Sequence, residues 1–202
     1  PLKNAVTGRV VTRFAPSPTG PLNITQLLRA AMLSYLYAKK YNGVFILRID
    51  DTDPRNIEKR YYRMIREDLR NSGIRWDRFH IQSSDMPKYY RHAARLIKEG
   101  KAYVCVCAKE KFQGFKNKRI HCPCRNKAAE LNLEDWKKAL NGKYREGGMV
   151  LRLKTSMEDP NPALRDPPLL RVINARHPLK GRRYKIWPLY NYANTIEDHM
   201  HG

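Results

Sequence analysis

Residues 8–49 contain a strand–loop–helix–strand pattern that restricts the fold more than any other feature of the chain. A β-branched run over 8–15 ends at 16–21, where three prolines and a glycine stop a strand. Apolar residues at helical spacing follow over 24–41, and Asn42-Gly43 supplies a helix stop. The continuous apolar run 44–49 is typical of a buried parallel strand. The sequence therefore predicts a βαβ unit.

The rest of the chain adds further helices and strands. Residues 57–72 have one apolar stripe, predicted to consist of Tyr61, Met64, Ile65 and Leu69. Residues 86–99 have another, and 128–141 forms an amphipathic pattern. Residues 149–153 and 169–173 are predicted strands, separated by a proline-rich stretch over 160–168 that disfavours regular structure. These elements predict an α/β fold, a parallel sheet with flanking helices.

The charge predicts the class of partner. Forty Lys and Arg stand against 19 Asp and Glu, a formal net charge of +21 spread over both halves of the chain. Such an excess attracts polyanions, and RNA is the partner we expect, with no feature that indicates DNA specificity. No apolar run is long enough for a membrane span and no signal pattern is present, so we expect a cytoplasmic protein without a membrane partner. Because the sequence begins with Pro1, we expect the numbering to start inside a longer product or after processing.

All four cysteines lie in two close pairs separated by 14 residues. Two such pairs can supply the four thiolates of a structural zinc site with no coordination position left for substrate. Two disulfides or four free thiols are the alternatives, and a cytoplasmic location disfavours the first. The candidate ligands are Cys105, Cys107, Cys122 and Cys124, with His92 and His121 ranked well below them.

Basic residues interleaved with aromatic ones are the candidate RNA contacts, because they suit phosphate binding and base stacking. Each cluster alone would be read as a solvated helix face. The candidates are Lys59, Arg60, Arg63, Lys88, Arg91, Lys116, Lys118, Arg119, Arg182, Arg183 and Lys185.

Five motifs carry a family resemblance by their order and spacing. They are RFAPSPTG at 13–20, LRIDDTDP at 47–54, LKT at 153–155, NPALRD at 161–166 and WPLYNYA at 187–193. Together they resemble the catalytic domain of glutamyl-tRNA synthetase, most closely the archaeal type. The resemblance implies half of a class I synthetase Rossmann fold with a zinc-binding insertion. It divides the chain into a Rossmann-like βαβ region at 1–100, the zinc element at 101–148, and the rest of the insertion with a return to the core at 149–202.

The resemblance also implies a glutamate pocket. Arg13 matches the arginine that binds the amino-acid carboxylate, and Ser17 lies in the same loop. Asp50 matches an acidic residue suited to the α-amino group, while Tyr190 and Asn194 match side chains that close the pocket. The alternatives are architectural, since Asp50 can cap the following helix and Tyr190 can belong to the core.

Two departures from the family concern ATP. The family has His-Ile-Gly-His facing the ATP phosphates, whereas this chain has Asn23, Ile24, Thr25 and Gln26, with neither imidazole nor glycine. Some archaeal members are irregular at this motif too. The Lys-Met-Ser-Lys-Ser-type loop of the family also does not occur in these 202 residues.

Two hypotheses follow. In the first, the chain is a catalytically degenerate relative of the synthetase and not an enzyme, and it docks on structured RNA such as rRNA or tRNA. The most specific version of this hypothesis is a ribosomal or ribosome-associated protein with ribosomal proteins as neighbours. In the second, it is part of an active glutamate–tRNA ligase that uses ATP and Mg²⁺. The spread of charge over both halves favours the first.

Overall fold

The computed structural model describes residues 2–202, which form two compact units. The first comprises the chain up to Asp85 together with His177–Leu179 and Glu197–Gly202, and the second comprises Met86–Arg176 and Lys180–Ile196. Along the described part of the chain, no helix combines the length and the apolar character that crossing a bilayer requires.

A three-stranded parallel sheet organises the first unit. Its strands are β1 (Val11–Phe14), β2 (Val44–Ile49) and β3 (Arg78–Ile81), in the order β1-β2-β3. A π-helical segment (Gln26–Met32) continues into α1 (Leu33–Lys40) between the first two strands, and α2 (Lys59–Asn71) connects the second pair. The predicted βαβ unit and its parallel sheet are therefore confirmed, whereas β3 was not predicted.

The strand β2 lies in the middle of the parallel sheet, and this position accounts for its apolar sequence. Its side chains are buried from Phe45 to Ile49, because helices and neighbouring strands enclose it. Helix α2 packs on this core through Tyr62, Ile65 and Leu69, which lie on one face. The stripe predicted for this helix named Tyr61, whereas the buried tyrosine is Tyr62.

The turn before β2 shows why Asn42-Gly43 ends the helix. Asn42 has a φ of +49°, in the left-handed region that Asn tolerates better than most residues. A Cβ on Gly43 would lie 2.1 Å from the Val10 carbonyl oxygen, so this position admits only glycine.

A four-stranded antiparallel sheet organises the second unit. Its strands, in spatial order, are β4 (Ala102–Cys105), β5 (Val150–Leu153), β6 (Pro168–Val172) and β7 (Ile186–Pro188). Two of these strands were predicted, but their antiparallel pairing was not, and the parallel arrangement holds only for the first unit.

Helices accompany this second sheet. They are α3 (Met86–Lys98), α4 (Lys109–Asn117) and α5 (Ala129–Leu140), while α6 (Tyr190–His201) runs from the second unit into residues of the first. Short 3₁₀ turns lie at Gln82–Asp85, Pro123–Asn126 and Pro162–Leu164. The core of the second unit is aromatic, with Trp187 fully buried and Tyr184 edge-on to both Tyr90 and Trp187.

Candidate functional site

Arg13 and Asp50 lie near the carboxyl ends of neighbouring parallel strands. Arg13 is the third residue of β1, and Asp50 follows the last residue of β2. The Asp50 backbone N–H donates to the Pro16 carbonyl oxygen at 3.0 Å, which joins the end of β2 to the loop that carries the exposed Ser17. Because ligands of open α/β sheets bind at this edge, the first unit brings three predicted residues to a suitable place.

An ion-pair network links Arg13 to Asp50 through two residues that the sequence analysis missed. Asp198, on α6, accepts from Arg13 Nε at 2.6 Å and from Arg13 Nη2 at 2.8 Å. The same carboxylate accepts from Arg48 Nη1 at 2.7 Å. Arg48 also donates to Asp50, through Nε at 2.6 Å and Nη2 at 3.2 Å. The two predicted binding residues are therefore held at fixed positions by one continuous network.

The network balances its own charge, with two guanidinium groups and two carboxylates. The Arg48 side chain is 1 % exposed, so its charge depends on these carboxylates. Burial raises the pKa of Asp50 above its usual value. Burial acts in the same direction on Asp198, but the hydrogen bonds from Arg13 and Arg48 outweigh it and lower the pKa of Asp198. The pKa of Asp198 therefore lies below that of Asp50.

The segment that replaces the family's histidine motif caps its own helix. The Gln26 backbone N–H donates to Asn23 Oδ1 at 2.8 Å, and the Asn23 backbone N–H donates to Gln26 Oε1 at 3.1 Å. This reciprocal pair is a capping box at the start of the helix that leads into α1. Ile24 and Thr25, between them, are exposed. The side-chain oxygens of Asn23 and Gln26 thus accept hydrogen bonds from backbone N–H groups.

Tyr190 and Asn194 lie in the second unit, at the start of α6 and one turn later. Tyr190 is 67 % exposed, so the alternative that it is a core residue is wrong. The Asn194 side chain is buried. Tyr190 also lines an apolar cavity of about 600 Å³ in this unit, together with Leu96, Leu164 and Pro168.

The four cysteines converge in the second unit as their spacing predicted. Their Sγ atoms lie within 4.8 Å of one another, with 4.0 Å between Cys105 and Cys122 and 3.7 Å between Cys107 and Cys124. Zn–S bonds of about 2.3 Å in a tetrahedron place the sulfurs about 3.8 Å apart, so the donor set fits zinc. All four are free thiols, and among the described residues the cluster includes neither His92 nor His121.

The thiols perturb one another. The hydrogen bond between Cys105 and Cys122 lowers the pKa of Cys122 to about 5 and raises that of Cys105. Burial raises the pKa of Cys107 to about 11. The pKa of Cys122 is therefore shifted in the direction that favours the thiolate form, which is the form that binds zinc.

Asp166 is the buried residue that organises the surroundings of the cysteine cluster. Its Oδ2 accepts from Tyr103 Oη and from Arg125 Nε, each at 2.9 Å, and its Oδ1 accepts from the Thr155 backbone N–H at 2.8 Å. Tyr103 also contacts Cys122 Sγ at 3.5 Å. Thr155 and Asp166, the last residues of the motifs at 153–155 and 161–166, thus belong to one network.

The candidate RNA contacts are distributed over both units. Nine of the eleven are exposed, and Lys88 and Lys116 are partly buried. The neighbouring tyrosines behave differently, since Tyr62 and Tyr89 are core residues and cannot stack on bases. The structure therefore shows that most of these basic side chains are accessible, and the predicted base stacking fails at these two tyrosines.

One missed residue had a signal in the sequence. Arg48 is the one charged residue in the otherwise apolar run 44–49, and a buried arginine requires a carboxylate partner. Asp198 gave no comparable signal, because its contacts join residues 150 and more positions apart.

Comparison with known proteins supports the family resemblance. Glutamate–tRNA ligase from Thermococcus kodakarensis is 51 % identical over 205 residues, covering 100 % of this chain and 36 % of the relative. The ligase of the same name from Pyrococcus horikoshii is 52 % identical over 204 residues, with the same coverage. The chain therefore spans about a third of the length of these curated relatives.

Solved structures share the fold. A glutamate tRNA ligase from Elizabethkingia meningosepticum, in complex with its amino acid, superposes with a TM-score of 0.67 at 24 % identity, covering 95 % of this chain and 42 % of that one. The family model described as "tRNA synthetases class I (E and Q), catalytic domain" matches residues 9–202. The chain therefore belongs to the class I (E and Q) tRNA synthetases, as a region of their catalytic domain.

Proposed function

We propose that this chain is the glutamate-binding region of an active glutamate–tRNA ligase. The observation that carries the proposal is the pair Arg13 and Asp50, held by one ion-pair network at the ligand-binding edge of a parallel sheet. The high identity with glutamate–tRNA ligases along the full chain supports this reading over a ribosome-docked protein. In the proposed reaction, ATP activates the glutamate carboxylate and tRNA then accepts the glutamyl group.

Arg13 would bind a carboxylate of glutamate. A guanidinium has five N–H donors, and Asp198 occupies two of them, so three are left for a ligand. The Arg13 side chain is 35 % exposed, which leaves it accessible. Because Asp198 grips one edge of the guanidinium, the plane of the group is fixed before glutamate arrives, and less side-chain entropy is lost on binding.

Asp50 would bind the α-amino group. Its carboxylate is one-tenth exposed and has Arg48 as its counter-charge. An ammonium group at this carboxylate would add a second counter-charge and offset the desolvation that raises the pKa of Asp50. Arg13 and Asp50 together therefore suit the two ends of a zwitterionic amino acid.

ATP binding would differ from that of family members with two histidines. Asn23 and Gln26 supply no positive charge, and their oxygens are engaged in the capping box. Their amide NH₂ groups would be the donors that this segment offers to the phosphates, with Mg²⁺ supplying positive charge to the reaction. We expect slower activation than a histidine motif would support.

The exposed cations would contact the tRNA backbone. With a net charge of +21, the chain has a large electrostatic attraction for any RNA, and sequence-independent contacts supply most of that attraction. Arg182, Arg183 and Lys185 lie together on one exposed segment before β7 and suit adjacent phosphates.

Zinc would stabilise the cysteine cluster. Cys105 ends β4, while Cys122 and Cys124 flank the start of a 3₁₀ turn, so one ion would connect the strand to the segment after α4. All four ligands come from the protein, and the role is structural.

A second candidate function is RNA binding without catalysis. The capping box favours it, because the helix start is satisfied internally where the family handles ATP. Glutamate binding separates the two functions, because a ligase binds glutamate selectively and a purely RNA-binding protein does not.

Isothermal titration with glutamate, glutamine and aspartate tests the proposal. We expect selective glutamate binding that weakens at least about tenfold in Arg13→Lys, because lysine cannot supply the bidentate fork. Arg9→Lys, an exposed substitution just before β1, is the matched control and should bind as the original protein does. Equal glutamate affinity in Arg13→Lys would contradict the proposal.

A further inference from the structure

Four potential metal ligands converge in the first unit at a place that the glutamate site does not use. They are His80, Asp85, Glu197 and His201, and one ligand atom from each lies within 4.8 Å of all the others. His80 Nε2 is 2.9 Å from Asp85 Oδ2 and 3.2 Å from Glu197 Oε2. His201 Nε2 is 3.0 Å from the same Glu197 oxygen.

The secondary structure fixes these four positions. His80 is on β3, and Asp85 ends the 3₁₀ turn that follows this strand. Glu197 and His201 are four residues apart on α6, so both project from one face of the helix. Spacing of i and i+4 on a helix is the arrangement by which helical side chains share one metal ion. The strand and the turn after it thus supply two ligands, and the helix supplies the other two.

The distances suit a small divalent ion. Zinc binds imidazole nitrogen at about 2.0–2.1 Å and carboxylate oxygen at about 2.0–2.2 Å, so tetrahedral ligands lie about 3.3–3.6 Å apart. The three contacts of 2.9, 3.0 and 3.2 Å are slightly shorter, and they lengthen to these values with side-chain shifts of a few tenths of an ångström.

Burial makes the cluster unlike a surface group of charges. The Glu197 side chain is fully buried and the Asp85 side chain is 10 % exposed, while both imidazoles are about one-quarter exposed or less. Both carboxylates face imidazole nitrogens at the distances given above, and a cation among the four groups would carry the charge opposite to theirs. A divalent cation matches the charge of both carboxylates and accepts both imidazoles as neutral ligands.

We propose that His80, Asp85, Glu197 and His201 form a binding site for a divalent transition-metal ion, with zinc as the best match. Imidazole and carboxylate ligands suit zinc, whereas Mg²⁺ and Ca²⁺ prefer oxygen alone. With four protein ligands the ion has a structural role: it connects the β3 end of the sheet to the last turns of α6. The site shares no residue with the cysteine cluster, and the proposal does not depend on glutamate binding.

Metal analysis after equilibrium dialysis tests the site. The purified protein is stripped with a chelator, dialysed against Zn²⁺ and analysed for zinc per chain, alongside His80→Gln and His201→Gln. We expect each variant to hold one equivalent less than the original protein, with the affinity of this site weakened at least about a hundredfold. His199→Gln, an exposed histidine on the same helix, is the matched control and should lose nothing. Equal zinc content in all four proteins would overturn the proposal.

Cobalt separates the two candidate sites in the same protein. Co²⁺ bound to thiolates gives intense charge-transfer absorption, whereas Co²⁺ bound to nitrogen and oxygen gives only weak visible bands. We expect His201→Gln to lose the weak bands and to keep any thiolate absorption. Binding at thiolates alone in the original protein would refute the site. Circular dichroism of His201→Gln checks its folding, and since this side chain is one-quarter exposed at the end of α6, the variant should fold even where His80→Gln does not.

Discussion

Replacing Asp166 by asparagine tests the buried network around the cysteine cluster. Asp166 is fully buried and has a φ of +40°, a left-handed conformation that asparagine adopts as readily as aspartate. The substitution therefore removes the charge without adding backbone strain. It also places an NH₂ donor opposite either the two donors at Oδ2, from Tyr103 and Arg125, or the Thr155 N–H at Oδ1.

The magnitude follows from these contacts. The hydrogen bond from Arg125 is charge-assisted and contributes about 1.5–3 kcal/mol, and a neutral bond contributes about 1 kcal/mol. Losing the charge and mismatching one donor should lower the free energy of unfolding by about 3 kcal/mol. For a chain of about 200 residues, each kcal/mol corresponds to about 2–4 °C in the unfolding temperature, so the expected decrease is about 6–12 °C.

Differential scanning calorimetry measures this shift. Glu158→Gln, an exposed carboxylate in the neighbouring loop, is the control and should change the unfolding temperature by less than about 2 °C. A decrease below about 2 °C for Asp166→Asn would refute the role assigned to this network.

Two further predictions concern the backbone and the cysteine cluster. Gly43→Ala should destabilise the protein by about 2–4 kcal/mol, because its Cβ would meet the Val10 carbonyl oxygen. Gly114→Ala, in the open interior of α4, should stabilise the protein by about 0.5–1 kcal/mol. Denaturant unfolding of both variants measures the difference, and equal effects would contradict the close approach at Gly43. In the His201→Gln variant, Zn²⁺ at 100 times its dissociation constant should raise the free energy of unfolding by about 2.7 kcal/mol by binding at the cysteine cluster. Thermal unfolding with and without chelator measures this increase. No increase would exclude zinc binding at the cysteines.

The parallel half of the fold could be predicted because its signals are local. The run over 44–49 is apolar without alternation, and a proline-rich loop and an Asn-Gly stop mark both ends of the preceding helix. The antiparallel sheet could not be predicted in the same way. Its four short strands pair across 14 to 51 residues of sequence, and register over such distances depends on packing rather than on local pattern.

The candidate sites divide in the same manner. The cysteine cluster is visible in the sequence because its ligands come in close pairs, and the structure brings all four together. The contacts of Arg13 with Asp198 and of His80 with Glu197 could not be predicted from the sequence, because both carboxylates come from the far end of the chain. A charge excess, in turn, indicates a polyanionic partner but carries no information on catalysis, and the expectation of a ribosome-docked protein relied too heavily on it.

Glutamate-dependent ATP–pyrophosphate exchange, measured with and without tRNA on the purified full-length ligase that the proposal places this region in, tests the central claim most directly. The account predicts exchange with glutamate, little with glutamine, and loss of exchange in Arg13→Lys but not in Arg9→Lys. Absence of exchange under all conditions, from protein that still binds RNA, would contradict the ligase and leave the RNA-binding function in its place.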